Sequence, residues 1–108
     1  MNEVKSDVEK LVQKELKSAN QRFPMFRSDH EGAAVIFEKV EEAKDELKSI
    51  KSVFEELWYT VKSNEDNEPW VSRIKEYSIN LACEAIQVAA MAQKFIDSQK
   101  EREKSEGN

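Results

Sequence analysis

One carboxylate, Glu84, lies inside the most apolar stretch of the chain. In residues 81–96, 12 of 16 side chains are apolar. Helical spacing from Asn80 places Glu84, Gln87 and Met91 on one narrow, mainly polar strip, with apolar residues on the other faces. Such a helix is typical of the buried centre of a fold. Because burying an unpaired ionised carboxylate is costly, we expect Glu84 to be protonated, paired with a cation or bound to a metal.

A second group of acids lies earlier in the chain, between positions 31 and 46. Its members are Glu31, Glu38, Glu41, Glu42, Asp45 and Glu46, with Lys39 and Lys44 among them. At about 100° per residue, Glu42 and Glu46 fall on one border of the apolar stripe, on the same side as Lys39. Carboxylates meeting Glu84 there would repel one another unless a divalent ion joined them, and oxygen ligands favour Mg²⁺ or Mn²⁺. The alternative is a solvated helix face.

Two strings within these regions resemble a known family. HEGAAVIFEKVEEAKDEL and, after a spacer, CEAIQVAAMAQKFI are similar to the MazG-like all-α nucleoside triphosphate pyrophosphohydrolases, particularly the small forms of phage genomes. The resemblance extends over roughly Phe26 to Ile96. It implies an Mg²⁺ site on two helices, at which water attacks between the α and β phosphates of a nucleotide.

The family's two acidic motifs are carried over residue by residue. The Glu-Glu-x-x-Glu motif falls on Glu38, Lys39 and Glu42, or in a second register on Glu41, Glu42 and Asp45. The Glu-x-x-Asp motif falls on Glu84 and Gln87. Lys39 and Gln87 both replace carboxylates of the family pattern. A lysine can pair with Glu84 or Glu42 in place of the ion, and Gln87 can form hydrogen bonds but is a weak ligand.

The resemblance predicts the roles of seven site residues. Glu42 and Glu84 are the expected catalytic residues. The expected metal ligands are Glu38, Glu42, Glu46 and Glu84, and the expected nucleotide contacts are Lys39, Asn80 and Gln87. Two alternatives stay open: a non-catalytic member of the fold that binds a nucleotide or a protein, and a plain helical oligomerisation module.

Three helices position these residues. Apolar residues at helical spacing predict a first helix from Asn2 to about Gln21, and the RFPMFR segment that follows predicts a packed connector. Ser28 and Glu31 form a capping box for a second helix from near His30 to about Lys62. Pro69 is a typical first-turn residue for a third helix that ends near Lys100. The expected fold is an all-α bundle of three to four helices completed by oligomerisation, with a single domain over 1–98 and a disordered charged tail over 99–108.

Composition limits the partners. The formal charge of −5 and pI near 5.0 argue against nucleic acid. No apolar run is long enough for a membrane span, and the amino terminus lacks a signal-peptide pattern. One cysteine, Cys83, cannot form an internal disulfide, which fits the cytoplasm. Because the third helix is apolar on more faces than the others can cover, we expect a homodimer or a dimer of dimers.

Overall fold

The computed structural model describes residues 2–106, without the side chain of residue 2, and these residues form three α-helices. The helices are α1 (Asn2–Arg22), α2 (Asp29–Lys62) and α3 (Glu68–Glu106). The described residues contain no strand, so the all-α prediction is confirmed, with three helices. None of these helices is long and apolar enough to cross a membrane.

The turns between the helices begin and end at the residues that the sequence indicates. The Ser28 hydroxyl caps α2 by accepting a hydrogen bond from the backbone N–H of Glu31 at 3.1 Å. Asn64 takes a left-handed conformation (φ 55°) in the turn after α2, and Asp66 accepts from the N–H of Glu68 at 3.2 Å at the start of α3. Pro69 therefore occupies the first turn of α3, as predicted.

The connector between α1 and α2, residues 23–28, packs against the last turns of α3. Phe26 is buried; its N–H donates to the Ser98 hydroxyl at 3.0 Å, and its carbonyl accepts from Arg102 at 2.8 Å. Phe23 is instead 62% exposed. The packed connector is confirmed, with Phe26 as its anchor.

The end of α3 differs from the prediction. The helix continues to Glu106. Near its end, Arg102 donates to the Phe26 carbonyl and forms an ion pair with the carboxylate of Asp29. The predicted end near Lys100 is wrong, because residues with good helix propensity continue past it and the fold supplies a partner for Arg102. Residues 99–106 are helical where we expected a disordered tail over 99–108. Gly107 and Asn108 lie outside the described residues.

One glycine allows α2 to approach α3 closely. A Cβ built on Gly32 would overlap the ring of Phe95 and lie 3.0 Å from the ring of Phe26. Glycine inside a helix costs about 1 kcal/mol relative to alanine, so its presence in the first turn of α2 needs a packing reason. The two aromatic rings provide that reason.

The helix α3 is the central element, and α1 and α2 both pack against it. The buried apolar core is small and lies where the connector and all three helices meet. It consists of Leu16, Ala19, Phe26, Ala90 and Met91, with Val12, Val35, Ile36 and Phe95 packed against it. The molecule is elongated, with extents of 69 × 29 × 22 Å.

Away from this core, the α2–α3 hairpin leaves much of its apolar surface uncovered. Three apolar residues that recur every seven positions along one face of α2 are largely exposed: Val40 (43%), Leu47 (44%) and Phe54 (54%). Trp58 and Ile79 are also about half exposed. Within one chain α1 covers only part of the hairpin, as expected where helices carry more apolar surface than their neighbours can cover.

Candidate functional site

The structure brings Glu84 of α3 against the acidic border of α2. Burial raises the pKa of Glu84 above its ordinary value of 4.5, a hydrogen bond with Glu42 raises it further, and the charges of Glu42 and Glu46 act in the same direction. Lys39 opposes this shift through its positive charge. The raised pKa means that the folded state holds a proton on this pair of carboxyl groups more tightly than isolated carboxyl groups would.

The buried oxygen of Glu84 has an unusual environment. Its Oε2 is buried, and no N–H or hydroxyl group in the described part of the chain donates to it. The group that reaches Glu84 is the carboxyl of Glu42, and two carboxyl groups in contact need a proton or a cation between them. We call these two residues the carboxyl pair.

Lys39 contacts the carboxyl pair from one side only. Its Nζ lies 3.6 Å from Oε2 of Glu42, and both side chains are partly exposed (28% and 41%). Lys39 therefore pairs with Glu42, one of the two partners that the sequence left open, and influences Glu84 only through its charge. A partly exposed ion pair of this kind contributes under about 1 kcal/mol to the free energy of unfolding.

The other predicted site residues differ in burial and in whether they influence the ionisation of Glu84. Gln87 is half buried and lies one turn beyond Glu84 on α3. Glu38 and Asn80 are exposed, and neither affects the ionisation of Glu84. Glu41 and Asp45, from the second register, do not affect it either. The structure thus groups Lys39, Glu42, Glu46 and Glu84, with Gln87 beside them.

The carboxyl groups at this site can be compared with the ligand sets that bind divalent ions. Among residues 2–106, no group of three or more Asp, Glu, His or Cys side chains is arranged to hold a metal. Magnesium often takes only one or two protein carboxylates, however, and fills its remaining positions with water and substrate phosphates. The carboxyl pair fits that mode, since its two groups already require a positive charge between them.

A cavity of about 320 Å³ lies beside the carboxyl pair, between α1, the connector, α2 and α3. Lys39 and Gln87 line it on the side of the carboxyl pair, and its walls are mostly apolar. The apolar lining residues are Ala19, Phe23, Pro24, Phe26, Val35 and Met91. Its volume is at the lower end of the range typical of small-molecule sites.

Sequence reasoning selected Lys39 and Gln87 among the residues that line this cavity, but it did not select the buried lysine, Lys94. Its side chain lines the cavity and is only 1% exposed, and burial lowers its pKa while the charge of Glu31 acts in the opposite direction. The signal was present, because a further step of three from Met91 along the polar strip of α3 reaches Lys94.

The fold and site define an all-α protein with a carboxyl pair beside an apolar cavity. Comparisons with protein-family models, curated proteins and solved structures return no match. The resemblance to MazG-like pyrophosphohydrolases therefore stays a prediction.

Proposed function

We propose that this protein binds nucleoside triphosphates with Mg²⁺ and is a nucleotide pyrophosphohydrolase-like protein of low activity. The observation that carries the proposal is the contact between Glu42 and Glu84, with a buried Oε2 that no donor reaches. The adjoining apolar cavity, joined to this contact by Lys39 and Gln87, supports it.

In this proposal the carboxyl pair holds Mg²⁺, or Mn²⁺, together with the nucleotide phosphates. The ion would neutralise phosphate charge and activate water for attack on phosphorus. Glu42 and Glu84 would hold the ion as carboxylates. Glu46 would add negative charge on the same border of α2, Glu38 would do so from further out, and the Lys39 ammonium would contact a phosphate oxygen.

Low activity follows from Lys39 and Gln87, since each stands where the family pattern has a carboxylate. With two fewer negative groups, the site binds the ion weakly. The variant Lys39→Glu with Gln87→Asp, which adds two carboxylates to Glu42 and Glu84, is expected to gain Mg²⁺ affinity and to release pyrophosphate from a triphosphate.

Calorimetry with Mg²⁺ and Mn²⁺, in the presence and absence of a nucleotide, tests the proposal. Glu84→Gln should abolish metal binding, and the exposed residue Glu76 on the same helix provides a matched control as Glu76→Gln. A pyrophosphate-release assay compares the wild type with the double variant. Fast turnover by the wild type would contradict the low-activity proposal, and a folded double variant that binds no metal would contradict the family assignment.

A second candidate function, helical oligomerisation, is favoured by the exposed surface. A compact monomer of 12.5 kDa exposes about 6,200 Å², whereas this chain exposes 8199 Å². The excess is comparable to the area buried in a stable interface. We infer a homodimer or a dimer of dimers through the exposed faces of α2 and α3, in the cytoplasm as the lone cysteine suggests.

Light scattering tests the assembly directly. A mass near 12.5 kDa at tens of micromolar would exclude it. Phe54→Ser, which removes a side chain that is 54% exposed, should weaken association without unfolding the chain. Retention of the dimer together with a complete lack of nucleotide binding would favour the oligomerisation module over the nucleotide-binding protein.

A further inference from the structure

Lys94 is a buried lysine to which no described residue offers a hydrogen-bond acceptor. It is 1% exposed, and its Nζ lies over the face of Phe26, 5.1 Å from the ring centroid. In the part of the chain that the structure describes, it forms no hydrogen bond and no ion pair. A lysine ammonium has three N–H groups and can only donate. The amine of Lys94 is not among the fully enclosed atoms that lack a partner, and its side chain lines the cavity, so an acceptor can be supplied from the cavity.

The charges around the cavity indicate a neutral acceptor rather than an anion. Of the basic residues that line it, Lys39 is paired with Glu42, which leaves Arg22 and Lys94. Two acids, Glu15 and Glu31, also line the cavity and balance these two cations. A ligand group held here therefore needs lone pairs but no net charge, as a carbonyl oxygen does.

The shape and position of the cavity add two requirements. Apolar side chains, with Phe26 and Met91 among them, favour a flat apolar body, and about 320 Å³ accommodates one ring system. Lys39 lines the cavity and also contacts Glu42 of the carboxyl pair, so a ligand extending from the cavity to the carboxyl pair would pass Lys39. A nucleotide meets these requirements with its base in the cavity and its phosphates at the carboxyl pair.

We propose that the cavity binds the base of the nucleotide and that Lys94 selects bases carrying a keto group over bases carrying an amino group. This inference rests on the proposed function and specifies its substrate class. Guanine presents O6 and N7, and uracil or thymine presents O4, as acceptors; adenine and cytosine place an amino donor at the corresponding position. A donor-only side chain such as Lys94 pairs with the first group and opposes the second.

Binding of nucleoside monophosphates to the full chain tests the selection without requiring hydrolysis. GMP and UMP are compared with AMP and CMP by calorimetry or by NMR titration, in EDTA and in Mg²⁺. The wild type should prefer the keto bases by roughly tenfold or more. Lys94→Met, which keeps the length of the side chain but removes its donors, should abolish the preference. The matched control is Lys100→Met, at an exposed position of the same helix.

A second variant covers the case in which Lys94→Met does not fold. The amide of Lys94→Gln can donate or accept, so this variant should bind all four bases with similar affinity. Equal binding of the four bases by the wild type, persistence of the preference in the folded variants, or no binding of any monophosphate would overturn the inference. Keto selection without Mg²⁺ binding or pyrophosphate release would instead support the role of Lys94 and refute the proposed function.

Discussion

Replacing Glu84 with glutamine should stabilise the metal-free protein at neutral pH. The folded state places this carboxyl against Glu42, with one oxygen buried and without a donor. An ionised Glu84 would therefore face another carboxylate in a partly desolvated groove. The amide of glutamine has nearly the same shape, carries no charge and can donate to the Glu42 carboxylate.

The expected gain is about 1–2 kcal/mol in the free energy of unfolding. A hydrogen bond to a charged group contributes roughly 1.5–3 kcal/mol, and we take the lower part of this range because Glu84 is only partly buried and Lys39 lies nearby. For a chain of this size, each kcal/mol corresponds to a shift in Tm of roughly 4–8 °C.

The gain should depend on pH in a defined direction. Because the folded state raises the pKa of Glu84 above 4.5, it binds this proton more tightly than the unfolded chain does. The stabilising contribution of the protonated wild-type carboxyl is complete below pH 4.5 and is lost as the pH rises through the raised pKa. The difference between the wild type and Glu84→Gln should thus be small at pH 4 and largest at pH 7 and above.

Urea unfolding between pH 4 and pH 8 in EDTA, followed by tryptophan fluorescence, measures this difference. Glu76→Gln removes a charge from an exposed position of α3 and should show no such pH dependence. Destabilisation by Glu84→Gln at pH 7, or a difference independent of pH, would refute the conclusion that burial and contact with Glu42 raise the pKa of Glu84. Addition of Mg²⁺ should then stabilise the wild type and leave Glu84→Gln unchanged, if the ion binds at the carboxyl pair.

Three further substitutions test the packing, each measured as a change in denaturant midpoint. Lys39→Ala should cost under about 1 kcal/mol, because the partner of Lys39 is the partly exposed Glu42; a loss of 3 kcal/mol would indicate direct pairing with Glu84. Gly32→Ala should cost about 1–3 kcal/mol despite the better helix propensity of alanine, since its Cβ overlaps Phe95, and a stabilised variant would show that α2 can move away without loss. Arg102→Ala should cost about 1–2 kcal/mol through the unsatisfied Phe26 carbonyl, whereas the same midpoint as wild type would show that water replaces Arg102.

The local elements could be predicted from the sequence because their signals are local. Ser28 with Glu31 indicated the start of α2, and Pro69 indicated the start of α3. The proximity of Glu42, Lys39 and Glu84 also followed from helical periodicity, because one lone acid on an apolar helix has to face the polar border of its neighbour.

The remaining features depend on contacts between distant residues and had no local signal. The contact between Gly32 and Phe95 depends on how closely α2 and α3 approach each other. Hydrophobic periodicity does not predict that distance. The contact of Arg102 with the connector extended α3 beyond the predicted end. The exposed residues Leu47 and Phe54 follow the pattern of a buried stripe, but that pattern does not specify whether the covering surface belongs to the same chain.

The two hydrogen bonds that hold the connector affect the order of folding. Phe26 is joined to Ser98 and Arg102, partners 72 and 76 positions away in sequence, while α2 and α3 are joined by a short turn. Closing long loops is entropically slower than pairing neighbouring helices. We therefore expect the hairpin to form first and the wall of the cavity to close last, so that most of α3 must be synthesised before the cavity can form. Pulsed hydrogen exchange during refolding should show the Phe26 amide protected after the amides of α2, and simultaneous protection would contradict this order.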